Sequence, residues 1–516
     1  MRGGRAGARE RVAVLAVLAV LVGLQVEMTA RTWTRPFLDG ALHYDFDNAE
    51  FTRRARDGIL AGQARTQLGV SSLPYAAWEV PAGEPNFYTH HPFLLKALFQ
   101  LLVRVAGDGE WVSRVYALAV AAAAVGGTVV ALRLGSGSLV AAGLGALVLV
   151  NVPVFATYQS CIKYELDGMA LGSWFFVAVA FALVRPSPAK TLAVGGLAYF
   201  AALAHWTAVL LVGAVVAWLA WERVARGRDE ATAPVIAAVV GAAAGLLTVL
   251  LTFTWLAGGW SALAADLGAA ARMRTDVSAL PSGAWAQRQG LYVRMNFGPV
   301  VPWLAASVAC GLAFLAWRHR LQPETGIAGR LLPAFIATTL AAATAWQLGF
   351  PQGSFVHVFW QLWFVLPLAG LTAALYVAAP GIAWRAGASV AILAVAAHLH
   401  LASREAHEEL LRLQRGTPAD ISFLVSQRYD PFTRFVFVPM HDVPLNAWFT
   451  GPIFPYYTDR EVVVLSGAGR VGPGDRLLLL RHEDQQEILP RLERFLGVTL
   501  GEERCGLRFC AYDVRP

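Results

Sequence analysis

Long apolar runs alternate with short polar breaks through the first 400 residues, and the pattern changes after that. A helix that crosses a bilayer needs about 20 mostly apolar residues. Eleven runs are read as candidate spans: 11–30, 112–134, 138–156, 167–184, 191–205, 206–222, 232–257, 299–317, 331–349, 358–378 and 381–400. The stretch 191–221 is long for one span and short for two. Past residue 400 the period shortens. Segments 435–440, 461–465 and 476–480 read as strands, 484–496 as an amphipathic helix and 507–514 as a closing strand, with Gly467, Gly469, Gly472 and Gly474 marking turns. The pattern predicts a polytopic α-helical membrane domain over 1–400 and a small soluble α/β domain over 401–516.

Composition supports this division. Of 516 residues, 56% are hydrophobic and 15% charged, where a soluble protein carries roughly 25% charged residues. Mean hydropathy is +0.50. Residues 401–516 hold 14 of the arginines and 16 of the carboxylates, an ordinary soluble density. A single soluble enzyme, a disordered chain and a secreted disulfide scaffold are excluded. The net charge of +7 comes without a basic stripe interleaved with aromatics, so no nucleic-acid partner is expected. Only Lys96, Lys163 and Lys190 are lysines, and the Arg, Ala and Gly bias suits a GC-rich bacterial genome.

Charge also decides the ambiguous stretch. With two spans in 191–221, the short loops on the N-terminal side carry fourteen Arg and Lys, and the opposite short loops carry one, Lys163. The positive-inside rule then gives eleven spans, a cytoplasmic N-terminus and a C-terminal domain outside. Arg2, Arg5, Arg9 and Arg11 precede a first span that reads as an uncleaved anchor. Two loops, about 31–111 and 258–298, lie outside with that domain. Cys505 and Cys510 can pair there if the compartment is oxidising.

The first outer loop concentrates chemistry. It holds His43-Tyr44-Asp45-Phe46-Asp47-Asn48-Ala49-Glu50, then Thr89-His90-His91-Pro92-Phe93-Leu94-Leu95-Lys96, an amphipathic segment, and Arg114 at the mouth of the next span. A carboxylate at a membrane surface can take a proton from an acceptor hydroxyl. His, Lys or Arg can stabilise a phosphate leaving group.

This order of features resembles the GT-C glycosyltransferases, above all the protein O-mannosyltransferase and aminoarabinose-transferase branch that uses polyprenyl-phosphate sugars. That family carries an Asp-Glu motif soon after its first span and a His-Pro-Pro-Leu-x-Lys segment further on. Asp47 stands at the first acid, and His91 to Lys96 stand at the second motif. Asn48 replaces the family's Glu, Phe93 its second Pro, and Thr89 the Asp that the mannosyltransferases carry two residues before the His. A second loop carboxylate is then missing, or is supplied by Asp45 or Glu50.

The resemblance implies inverting transfer of a sugar from a polyprenyl-phosphate donor to an acceptor hydroxyl or other amine-free polar group, at the extracytoplasmic face of the cytoplasmic membrane. Asp47 is the expected general base. His91, Lys96, Arg114, Arg272, Arg274, Arg294 and His357 are the expected donor-phosphate and substrate contacts. Asp45, Glu50, His90, Lys163 and Asp167 are supporting residues. Arg is favoured because a guanidinium can bind two phosphate oxygens at once. No cofactor and no metal are expected; the partners are membrane lipid, the lipid-linked sugar and an acceptor that is protein, lipid or glycan. The competing class is a transporter or lipid flippase, which calls for mid-span charges and internal repeats that the sequence lacks. A non-enzymatic scaffold leaves the acidic and His-Pro motifs unexplained.

Overall fold

The computed structural model describes residues 2–33, 37, 46–62, 64–68, 71–72, 86–87, 89–276, 278, 283–298, 302, 306–307, 309–311, 313, 327–413, 435–437, 462–464, 471, 473, 475–480, 485–505 and 509–515. In chain order the helices begin with α1 (Arg2–Thr29), α2 (Phe46–Ala61), α3 (Leu94–Ala106), α4 (Glu110–Ser136), α5 (Leu139–Asn151) and α6 (Pro153–Tyr158). They continue with α7 (Tyr164–Val184), α8 (Pro188–Ala204), α9 (Trp206–Arg226), α10 (Thr232–Ala257), α11 (Trp260–Thr275) and α12 (Ala284–Phe297). Then come α13 (Leu331–Gly349), α14 (Pro351–Val356), α15 (Val365–Ala378), α16 (Gly381–Leu413) and α17 (Gln485–Leu496). The strands are β1 (Ser71–Ser72), β2 (Asn86–Phe87), β3 (Phe435–Phe437), β4 (Val462–Val464), β5 (Arg476–Leu480), β6 (Thr499–Cys505) and β7 (Phe509–Arg515).

The chain gathers into two compact units. One comprises residues 1–30, 89–95 and 115–406, the other 31–88, 96–114 and 407–516.

The first unit is a helical membrane bundle. Among the described residues eight helices are long and apolar enough to span a bilayer, and Leu139–Asn151 and Pro188–Ala204 are shorter apolar helices. The expected span 299–317 lies mostly outside the described residues. The protein is a multi-pass membrane protein. Apolar surface is distributed as a bilayer requires. Tyr164–Val184 and Val358–Ala378 are buried along most of their length, and Val12–Thr29, Asp229–Ala257 and Gly381–Glu408 are mostly exposed.

Local chemistry sets the helix ends. Ser138 caps α5, accepting from the Ala141 amide at 3.2 Å. Pro153 at the first position of α6 breaks the run read as one span, leaving Val152 extended between α5 and α6. The 191–221 stretch is two helices. His205 sits between α8 and α9 in an extended conformation, and its Nδ1 accepts from the Thr207 amide at 3.1 Å, capping α9. Residues 358–364 form a 3₁₀ turn before α15.

Small residues bring α8 and α10 together. A Cβ at Gly241 would lie 2.0 Å from the Gly195 carbonyl oxygen, and one at Gly245 2.6 Å from that of Tyr199. Such close backbone approach replaces the hydrophobic driving force that lipid does not supply between helices. At another bundle edge, Glu222 is buried and accepts from Arg330 at 2.8 Å, with Arg226 3.9 Å away.

The second unit contains α2, α3, the β1–β2 pair and the C-terminal sheet. Helix α3 buries Leu95, Lys96, Phe99, Gln100 and Val103 and exposes Leu98, Leu101 and Val105. An outward apolar face of this kind suits a helix lying in the membrane interface. The sheet has order β4-β3-β5-β7-β6, with β3 parallel to β4 and β5, and β7 antiparallel to β5 and β6. Its core is Val436, Val471, Leu477, Leu479, Cys510, Tyr512 and Val514, covered by Leu489, Leu492 and Leu496 of α17. The sequence pattern omitted β6. A disulfide joins Cys505 of β6 to Cys510 of β7.

Candidate functional site

In the second unit Lys96, the last residue of the His-Pro segment, meets the acidic motif of α2. Asp47 occupies the first turn of α2, where the positive end of the helix dipole favours a carboxylate. Glu50 is three residues on, hence on the same face, and forms an ion pair with Arg54. Helix α3 brings Lys96, 2% exposed, within electrostatic reach of both. Burial pushes the Lys96 ammonium well below its ordinary pKa, Arg54 pushes the same way, and Glu50 opposes. Gln100 Nε2 donates to the Thr66 carbonyl at 3.0 Å, and Thr66 Oγ1 donates to the Gly58 carbonyl at 2.9 Å, fixing α3 to the end of α2. Arg114 is fully buried. It donates to the Thr32 carbonyl, and its guanidinium lies 5.4 Å from the Phe37 ring centre. Asp45 lies outside the described residues.

The buried Lys96 yields a test. Burial and the Arg54 charge both oppose the Lys96 ammonium and outweigh the attraction of Glu50, so an apolar side chain of similar volume removes an unfavourable charge. Lys96→Met is expected to keep or raise the melting temperature at pH 7 while lowering activity. The sign of the pH dependence follows from proton counts. As pH rises toward 10.5, the native chain gives up this proton before the unfolded chain does, so the unfolded state binds more protons and wild-type stability rises. Lys96→Met should lack that rise in a thermal-unfolding series across pH 7 to 10.

In the first unit, residues 89–91 are gripped from three helices. Thr89 Oγ1 donates to Asp266 Oδ2. His90 Nε2 lies 3.1 Å from Asp266 Oδ1. The Trp206 indole donates to the His90 carbonyl at 2.7 Å. The His91 ring stacks on Tyr164 at 4.5 Å and lies 5.7 Å from His205. His205 is fully buried, and because its Nδ1 accepts a hydrogen bond its ring proton sits on Nε2, 3.9 Å from Glu165 Oε1. Asp167 accepts from the Tyr116 hydroxyl at 3.0 Å. Lys163, 1% exposed, lies 4.1 Å from the centre of the Phe359 ring and 5.2 Å from that of Tyr158. His357 stacks on Trp360 at 5.4 Å.

The cations of segment 258–298 are more open. Arg272 and Arg294 are exposed, and Arg274 donates to the Ala270 carbonyl of its own helix. Arg288 lies over the Tyr292 and Phe355 rings. Asp266 was not singled out from the sequence. A signal was present: it is the only charged residue between Glu230 and Arg272. Among the described residues one group of metal-ligand atoms comes within 4.8 Å, that of Glu503, Cys505 and Cys510. Its two sulfurs are joined in the disulfide, which removes the thiolates a metal would need.

No protein-family model and no curated protein sequence matches the chain. Solved structures do. The aminoarabinose transferase ArnT from Cupriavidus metallidurans, bound to undecaprenyl phosphate, is 13% identical with a TM-score of 0.56, over 97% of this chain and 97% of that one. Its apo state is 14% identical with a TM-score of 0.52, over 98% of each chain. The arabinofuranosyltransferase AftD from Mycobacteria, solved by cryo-EM, is 15% identical with a TM-score of 0.51, over 98% of this chain and 40% of that one. The fold is that of the GT-C membrane glycosyltransferases.

Proposed function

We propose that the protein transfers a sugar from a polyprenyl-phosphate donor to an acceptor hydroxyl at the extracytoplasmic face of the cytoplasmic membrane. The observation that carries this reading is the place of Lys96 beside the acidic motif of α2. Asp47 and Glu50 share a face of α2, and the buried Lys96 of the His-Pro segment sits beside the Glu50–Arg54 pair. The GT-C fold supports it, as does the undecaprenyl phosphate bound to ArnT.

In the proposed reaction Asp47 takes the proton of the acceptor hydroxyl. The acceptor oxygen attacks the anomeric carbon from the side opposite the phosphate, and the bond from that carbon to the phosphate oxygen breaks. The products are the inverted glycoside and the free polyprenyl phosphate. A phosphate monoester leaves as a stable anion, so cations rather than a strong general acid suffice on that side. His91, Lys96, the Arg of the second outer segment and His357 are the proposed sources of that positive charge and hydrogen bonding.

The test uses the purified full chain in proteoliposomes with labelled undecaprenyl-phosphate sugars (aminoarabinose, arabinose and mannose) and a membrane extract as the source of acceptor. Appearance of label covalently attached to an acceptor, with release of undecaprenyl phosphate, supports the transferase. Movement of intact donor between leaflets without bond cleavage supports a flippase and overturns it.

Topology supplies a second check. A reporter fused after Arg404 is expected to read extracytoplasmic. The Cys505–Cys510 disulfide fits that side, since the cytosol keeps thiols reduced. A cytoplasmic signal would reverse the orientation and remove the proposed side of reaction.

A further inference from the structure

The mannosyltransferase-like pattern is short of one loop carboxylate, because Thr89 stands where that acid is expected. Glu50 is already engaged with Arg54. The carboxylate that meets Thr89 comes from α11, 177 residues away in sequence. We infer that Asp266 is a positioning residue for the donor: it supplies from the second outer segment the acid that Thr89 lacks, and it holds the His90-His91 segment in its working conformation. This rests on the transferase reading.

Three observations carry it. Both oxygens of Asp266 are used on consecutive residues, Oδ2 on the Thr89 hydroxyl and Oδ1 on the His90 ring. A carboxylate that bridges neighbouring side chains fixes two side-chain torsions and the backbone between them. The second anchor on the same residues, from Trp206 to the His90 carbonyl, holds the backbone from another helix. The next residue, His91, is 7% exposed and stacked on Tyr164, so its ring direction depends on where residues 89–90 are held. Asp266 remains 43% exposed and is thus paired without being sealed in the core. Its removal therefore leaves no desolvated charge behind and should not prevent folding.

The roles separate by kinetics. Asp266→Ala is expected to lower kcat/KM for the lipid donor by about 10²-fold, the scale of an ångström-sized misplacement of a binding group. Most of the change is expected in KM, since Asp266 orients a binding segment and does not itself react. Thr89→Val is expected to do the same in part, and the double variant should lose no more than Asp266→Ala alone, the mark of one shared interaction. The exchanged pair Thr89→Asp with Asp266→Thr returns a carboxylate and a hydroxyl to the same two positions and should recover activity relative to Asp266→Thr.

Hydrogen exchange at residues 89–91 reads the clamp without any turnover and should quicken in Asp266→Ala. Unchanged exchange and unchanged kinetics in Asp266→Ala, fully independent effects of the two single variants, or an exchanged pair no better than Asp266→Thr would each overturn the inference while leaving the transferase intact. Failure of the wild type to cleave any of the three lipid donors would instead count against the transferase reading. In that case the clamp is decided by exchange, and the positioning role by whether Asp266→Ala weakens binding of undecaprenyl phosphate. Equal binding would overturn it.

Discussion

Asp47→Asn is expected to lower sugar transfer by about 10²-fold or more, the range lost with a general base, with binding of undecaprenyl phosphate unchanged. The substitution keeps shape and hydrogen-bonding capacity at the first turn of α2 but cannot accept the acceptor's proton. The neighbouring acid gives the contrast. Glu50 is paired with Arg54, whose side chain is 6% exposed, so Glu50→Gln removes the charge from a partner out of water. Stability should fall in that variant, by the larger cost of leaving a buried charge uncompensated. A drop in kcat with normal melting behaviour in Asp47→Asn, beside a drop in melting temperature in Glu50→Gln, separates the base from the scaffold. Wild-type turnover by Asp47→Asn would remove Asp47 from the mechanism.

Gly241→Val is expected to open the packing between α8 and α10. The new Cβ would stand 2.0 Å from a backbone oxygen of α8, and backbone cannot swing aside as a side chain can. Helices α8 and α10 must separate along their shared seam, at a cost of about 1–3 kcal/mol or more. Gly196→Ala is the control, because its Cβ would meet nothing within 4 Å. Size-exclusion melting in detergent should show early loss of the monodisperse peak for Gly241→Val and none for Gly196→Ala. Equal melting of the two variants would mean that the seam is not closely packed in the membrane.

What the sequence reveals depends on how local the determinant is. The apolar runs locate the helices because one side chain after another must match lipid or a neighbouring helix. Loop charge separates α8 from α9 because the orientation rule counts residues near span ends, and the extended break at His205 agrees. The strand pattern finds β3, β4 and β5, which are short apolar runs; Val436 of β3 and Leu477 and Leu479 of β5 lie in the sheet core. It misses β6, because Thr499–Cys505 is an edge strand with Glu502, Glu503 and Arg504 in its middle and shows no alternation. Pro153 marks the end of α5 in plain view, but a continuous apolar run hides it.

The site divides in the same way. Asp47 and Lys96 lie in motifs and can be read directly. Arg114 can be read at the mouth of a span, but its burial against the Thr32 carbonyl cannot, because nothing local tells an arginine which way to turn. Asp266 meets its partners only through the tertiary fold.

The strand order of the C-terminal sheet bears on how the protein is made. β7, last in sequence, lies between β5 and β6 and is the partner that the sheet order gives to β6. β6 is synthesised before β7, its neighbour among the described strands. The sheet cannot close until residues 509–515 have left the ribosome. Translation is therefore complete through residue 515 before this sheet can report itself folded to the cell's quality control. Clipping of those seven residues by a protease would strand β6 and its cysteine together.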